Sequence, residues 1–271
     1  MTPAFTSAVS ERLAQIRAEG RAALIGYLPA GFPSLGTSIR AIEAMVEGGV
    51  DIVEVGMPYS DPVMDGPTIQ AAAEQALAGG VRTTDAFDVV RASVKAGAPT
   101  VIMTYWNPVE RFGVDRFAAA LAEAGGSGLI TPDLIPDEAG EWTSAAKAHG
   151  LDQIFLVAPS STDARLAMTA EAASGFIYAT AVMGVTGQRE QTSSLAPELI
   201  ARLRKVTDKP LGVGLGVSNG SQAAEVAKFA DAVIVGSVLV RCLLDAPDEA
   251  AGLDAIGELA RDLRAGLERT K

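Results

Sequence analysis

The sequence predicts an α/β fold, a (β/α)8 TIM barrel with an extra N-terminal helix and an inserted helix after the second strand. Three observations carry that expectation. Short apolar or β-branched runs alternate with helical patterns eight times along the chain. Its 271 residues, 48% of them hydrophobic, suffice to bury one large core. No Gly-x-Gly-x-x-Gly follows the first run, which weakens the doubly wound dinucleotide alternative. Alternation of strand and helix implies parallel pairing with right-handed crossovers, and eight such units close into a barrel more naturally than they form an open sheet. A single barrel domain over residues 1–271 is expected, with neither a linker nor a low-complexity tract.

Taken in order, Val9, Leu13 and Ile16 recur at helical spacing between Ser7 and Glu19, predicting a helix that lies outside the main repeat. The eight strands are expected at Ala22 to Leu28, Val50 to Gly56, Thr100 to Tyr105, Ser127 to Thr131, Gln153 to Val157, Phe176 to Thr180, Leu211 to Leu215 and Ala232 to Val235. Between them, Ile39, Ile42, Met45 and Val46 end at Gly48-Gly49, Phe117 and Leu121 end at Gly125, and Leu199 and Leu203 precede a stop at Lys209-Pro210. Gly66 to Gly97 is longer than one crossover needs, and its two helical patterns predict the inserted helix.

The formal net charge of -11 argues against nucleic acid or an anionic membrane surface as a partner, since either needs a clustered positive field. Residues 1–20 lack a basic segment followed by an apolar one, and no later run is long enough to span a bilayer, so a cytoplasmic location is expected. With Cys242 and His149 the only residues of their kinds, neither an intrachain disulfide nor a Cys/His metal cluster can form. Cys242 reads as a small buried apolar residue, and His149 beside Gly150 as a helix C-terminal residue.

In such a barrel the reacting groups come from the C-terminal ends of strands. Glu54 is a carboxylate inside Ile52-Val53-Glu54-Val55, where both faces otherwise read as buried; an unpartnered carboxylate there is costly and its pKa should rise. The following loop carries Ser60, Asp61 and Asp65. The run Phe176 to Thr180 delivers Tyr178 toward a Gly-rich polar loop, Val182 to Ser193, suited to closing over a ligand. Gly212 to Ser218 and Gly236-Ser237 follow the seventh and eighth strands. Glycines there expose backbone N–H groups beside helix N-termini, a phosphate cradle that needs no cation.

These residues also carry a family resemblance. The stretches Val53-Glu54-Val55-Gly56, Tyr59-Ser60-Asp61-Pro62, Asp65-Gly66-Pro67-Thr68-Ile69-Gln70, Gly184-Val185-Thr186-Gly187, Gly214-Leu215-Gly216-Val217-Ser218 and Gly236-Ser237 resemble the tryptophan synthase alpha chain family, across nearly the whole chain from Ala22 onward. Departures are minor: the first loop, Pro29-Ala30-Gly31-Phe32-Pro33, is a variant, and Met57 and Tyr59 replace related apolar residues. The resemblance implies a lyase of tryptophan biosynthesis that cleaves indole-3-glycerol phosphate to indole and glyceraldehyde 3-phosphate by retro-aldol chemistry. It implies Glu54 as proton carrier, Asp65 as an ionised acceptor for the indole N–H, and Tyr178 as their active-site companion. Tyr27, Met103 and Tyr105 would line the indole pocket, and Thr186 would contact Asp65 on closure. Gly187, Gly214, Gly216, Gly236 and Ser237 would supply phosphate donors.

No cofactor or metal is expected in this chain; Asp61 with Asp65 is thin for a metal aldolase, and the lysines fall on helices, helix ends or the wrong end of a strand for a Schiff base. The resemblance further implies a pyridoxal phosphate-dependent beta subunit as partner in an alpha2-beta2 complex. Pro58, Asp61, Trp106, Asn107 and Pro136, with Tyr59, Val63, Leu134 and Ile135 among them, read as its docking rim, because apolar and aromatic groups cluster there around an acid.

Overall fold

The computed structural model describes residues 6–180 and 195–268. Eight parallel strands close into a barrel in sequence order: β1 Ala23–Pro29, β2 Ile52–Gly56, β3 Thr100–Met103, β4 Gly128–Thr131, β5 Asp152–Val157, β6 Ile177–Thr180, β7 Leu211–Gly214 and β8 Ala232–Val235. The expected strands are all present, with ends displaced by a residue or two. Around the barrel lie α1 Ala8–Ala18, α2 Leu35–Glu47, α3 Pro67–Ala78, α4 Thr83–Lys95, α5 Trp106–Phe112, α6 Val114–Glu123, α7 Gly140–His149, α8 Asp163–Ala172, α9 Leu195–Leu203, α10 Gly220–Ala227, α11 Ser237–Leu244 and α12 Glu249–Glu268. Among the described residues, no helix is long and apolar enough to cross a membrane.

Period-two alternation sorts each strand into two cores. Ile25, Ile52, Val101, Ile130, Ile154, Phe176 and Ile234 fill the barrel interior, while Leu24, Val53, Ile102, Leu129, Phe155, Ile177 and Val233 pack outward against the helices. The first helix does more than lie outside the repeat. Its Val9, Leu13 and Ile16 join the interior cluster and so close the N-terminal end of the barrel. Polar ties fix the plug: Ser7 caps α1 and its hydroxyl bonds Asp152 at the start of β5, and Arg12 reaches Asp51 beside β2 at 2.6 Å.

With that end sealed, the opposite mouth is left for chemistry. The inserted helix is α3, which begins after Gly66 with Pro67 at its first position, where a missing N–H costs nothing. The third strand is shorter than expected because Trp106 starts α5, with Pro108 tolerated in its first turn. His149 ends α7 before the left-handed Gly150, as expected, and its imidazole meets Asp115 at 2.9 Å. Cys242 is only half-buried, a correction to its reading as a core residue: it lies on α11 with its Sγ 3.4 Å from the Val238 carbonyl, and burial pushes the thiol up.

Candidate active site

The register of β1 and β2 sets Tyr27 beside Glu54, both on the inward face at the C-terminal end of their strands. Large side chains need room there, and glycines on the neighbouring strands provide it. A Cβ on Gly56 would come within 2.2 Å of the Tyr27 hydroxyl, and one on Gly236 within 3.3 Å of its ring, so the tyrosine lies across a gap made on both sides. Gly214 does the same for Tyr178, whose hydroxyl would lie 2.8 Å from an added Cβ. Gly214 was expected as a phosphate donor; its surroundings give it this spacing role. The sequence places Gly56 at the end of a strand but does not reveal its spacing role, because its neighbour across the strands cannot be read from local pattern.

Glu54 is 1% exposed, and its Oε2 has no hydrogen-bond partner. Desolvation alone pushes its pKa up to about 8, so the carboxyl carries its proton at neutral pH. Tyr178 lies within electrostatic reach of Glu54, and Tyr27 within reach of Asp65, Glu54, Tyr105 and Tyr178. Burial raises both tyrosines well above their ordinary range, which keeps them neutral. The structure thus brings together the three residues expected to be catalytic with two of the expected pocket residues. Met103, at the end of β3, packs half-buried against the interior cluster below them.

Asp65 is less solvated than its loop position suggests. Burial raises its pKa, opposed by a hydrogen bond from the Tyr105 hydroxyl to Oδ1 at 3.0 Å. The same hydroxyl accepts from the Met64 N–H at 3.0 Å, and Gln70 Nε2 donates to the Asp65 carbonyl at 2.8 Å. Tyr105, expected as a pocket wall, is therefore the anchor of the acid-bearing loop, and burial pushes its own pKa up to about 12. Thr186 and Gly187, with the rest of the loop from Val182 to Ser193, lie outside the described residues.

The phosphate cradle divides unevenly. Gly236 precedes α11 and no side chain caps that helix, so the N–H groups beginning at Ser237 face the mouth without a protein acceptor from a cap. Gly216 is exposed with φ +72°, a left-handed turn that glycine adopts without strain. The Ser218 N–H, in contrast, already donates to Gln222 Oε1 at 2.8 Å. Among the described lysines, Lys209 lies before β7, with its ammonium 2.6 Å from the Ala173 carbonyl, far from the ends of strands that face the mouth.

On the same rim, Val63 is 74% and Ile135 40% exposed, and Asp61 and Asn107 are exposed. Asn107 Nδ2 donates to the Tyr59 hydroxyl at 3.1 Å, and Tyr59 stacks on Tyr105 at 5.2 Å. Pro58 and Pro136 are half-buried. Trp106 differs from expectation: its side chain is half-buried against the outer core rather than fully displayed, and its backbone N–H donates to Asp133 at 2.9 Å. Leu134 is buried as well.

The family described as Tryptophan synthase alpha chain matches residues 13–267. A relative of that name from Acidothermus cellulolyticus is 60% identical over 263 residues, covering 97% of this chain and 98% of its own length. One from Mycobacterium ulcerans is 59% identical over 255 residues, covering 94% of this chain and 93% of its own. Among solved structures, tryptophan synthase of Mycobacterium tuberculosis aligns with a TM-score of 0.91 at 55% identity, covering 97% of this chain and 98% of that one. The tryptophan synthase complex of Pyrococcus furiosus aligns at 0.83 and 31% identity, covering 90% of this chain and 98% of that one.

Proposed function

The chain belongs to the tryptophan synthase alpha chain family, and from that premise we propose how its barrel mouth performs the alpha subunit's lyase reaction in tryptophan biosynthesis. The substrate is indole-3-glycerol phosphate. Protonated Glu54 gives its proton to ring carbon C3, leaving a carboxylate and a positively charged ring nitrogen. That carboxylate then takes the proton of the adjacent glycerol hydroxyl as the C–C bond breaks, so its electron pair returns to the ring. Indole and glyceraldehyde 3-phosphate leave, and Glu54 is protonated again. Asp65, held by Tyr105, accepts the indole N–H and offsets the transient positive charge. Tyr178 and Tyr27 confine Glu54 in a site of low polarity, and the phosphate sits at the open N-terminus of α11, at Gly236 and Ser237.

The observation that carries this reading is the Glu54 carboxyl, buried, unpartnered at Oε2 and neutral at physiological pH at the mouth of the barrel. A chain has little reason to keep such a group except to move a proton. The chain needs no cofactor of its own. Its partner is the beta subunit in an alpha2-beta2 complex, which carries pyridoxal phosphate and receives indole. It docks on the rim of Pro58, Asp61, Trp106, Asn107 and Pro136, where Val63 and Ile135 supply the exposed apolar surface. The test is to incubate the purified chain with indole-3-glycerol phosphate, with and without the beta subunit. Release of indole and glyceraldehyde 3-phosphate, faster with the partner, is expected; no cleavage in either case overturns the reading.

A further inference from the structure

Two helices begin at the mouth of the barrel after neighbouring strands, yet they are finished in opposite ways. The first turn of α11 has no side-chain cap. That of α10 is met by protein acceptors: Asn219 Oδ1 takes the Gln222 N–H at 2.9 Å, and just before the helix Gln222 Oε1 takes the Ser218 N–H at 2.8 Å and its hydroxyl at 3.0 Å. The third acceptor comes from far along the chain. Asp262, on α12, reaches the Gly220 N–H with Oδ2 at 2.7 Å.

The approach that permits this is unusually close. A Cβ on Gly220 would sit 2.3 Å from the Asp262 carbonyl, and one on Gly266, a turn later on α12, would sit 2.0 Å from the Gly220 carbonyl. Only glycine fits on both sides of that contact. The last helix is thereby locked onto the end of the Leu215–Asn219 loop, the segment that carries the exposed left-handed Gly216.

We propose that Asp262 is a positioning residue for phosphate recognition. By occupying the N-terminus of α10 from another helix, it holds the Leu215–Asn219 loop in place and leaves α11 as the helix end that receives the phosphate. A carboxylate at α10 cancels the positive end of that helix and disfavours an anion there. The loop between β7 and α10 then has one fixed conformation rather than several. The inference rests on the reading that this site takes a phosphate-bearing substrate.

The test compares two ligands on the purified chain, glycerol 3-phosphate and phosphate-free indole. Asp262→Ala is expected to weaken glycerol 3-phosphate by roughly three- to tenfold, the usual loss of one cap. Indole affinity should be unchanged, and for the cleavage KM should rise with kcat near the parent's. Asp262→Asn, which keeps an acceptor oxygen, should restore most of the affinity, and Asn219→Ala should reproduce the phosphate-selective loss. Unchanged glycerol 3-phosphate affinity in a folded Asp262→Ala overturns the proposal, as does equal weakening of both ligands, which would mark a merely structural role. Should Asp262→Ala not fold, Asn219→Ala decides by the same two outcomes. If the parent chain itself fails to bind glycerol 3-phosphate, the phosphate reading falls instead.

Discussion

Glu54 was legible as a residue because a carboxylate in an apolar strand has no cheap structural use, and the structure finds it buried with one oxygen unpartnered. What local pattern could not reveal is the space around it. Tyr27 lies over Gly56, and the two are brought together only by strand pairing. Gly56→Ala should force the ring of Tyr27 to move, since the new Cβ would be 2.5 Å from its Cζ as well as 2.2 Å from its hydroxyl. We expect at least a tenfold loss in kcat/KM, about 1.4 kcal/mol of transition-state stabilisation; steady-state kinetics on the folded variant checks it, and parent-like kinetics would show that Tyr27 does not shape the site. The pKa of Glu54 predicts the pH dependence. With the neutral carboxyl as proton donor and a pKa of about 8, kcat/KM should fall as pH rises through that value. A profile flat from pH 6 to 9 would assign the donor to another group.

At the scale of elements, repeated alternation of apolar runs and helical patterns was enough to place every strand, because each βα unit carries its own punctuation. Two elements read differently once packed. Thr104 and Tyr105 extend an apolar run and so look like strand, whereas in the structure β3 ends at Met103, Trp106 opens α5 and Tyr105 turns to hold Asp65. The acceptors that finish α10 come partly from α12, and no window of sequence contains both. Lys209 shows the same kind of long-range completion: its ammonium donates to the carbonyls of Ala170 at 2.7 Å, Glu171 at 3.1 Å and Ala173 at 2.6 Å, closing the C-terminal end of α8. Lys209→Met keeps the apolar stem and removes those bonds. It should cost about 1–3 kcal/mol of stability with catalysis intact, measured by denaturant unfolding and kcat/KM.

For the molecule as a whole, the two ends of the barrel divide stability from function. At the sealed end burial opposes ionisation of Asp51, yet bonds from Arg21 at 2.6 Å and the Leu24 N–H at 2.9 Å outweigh it and hold the carboxyl below its usual range. A depressed folded pKa contributes stability above the unfolded value, lost as pH falls through the folded one. At the open end, burial raises Glu54 from 4.5 to about 8, so the stability of its neutral form is complete below 4.5 and is lost as pH rises through 8. Asp65 shifts in the same direction. Thermal stability should therefore peak on the acid side of neutrality and decline toward pH 8, and Glu54→Gln should flatten that decline. If Tm of parent and variant change in parallel between pH 5 and 9, Glu54 is not titrating in the folded protein as its burial requires.

Turnover of indole-3-glycerol phosphate by Glu54→Gln tests the central claim most directly, because the amide keeps the shape of the side chain but cannot carry the proton. A fall of about 10²- to 10⁴-fold in kcat is predicted, with the fold and the affinity for glycerol 3-phosphate retained. Near-parent turnover by the folded variant would contradict it and move the proton transfer away from Glu54.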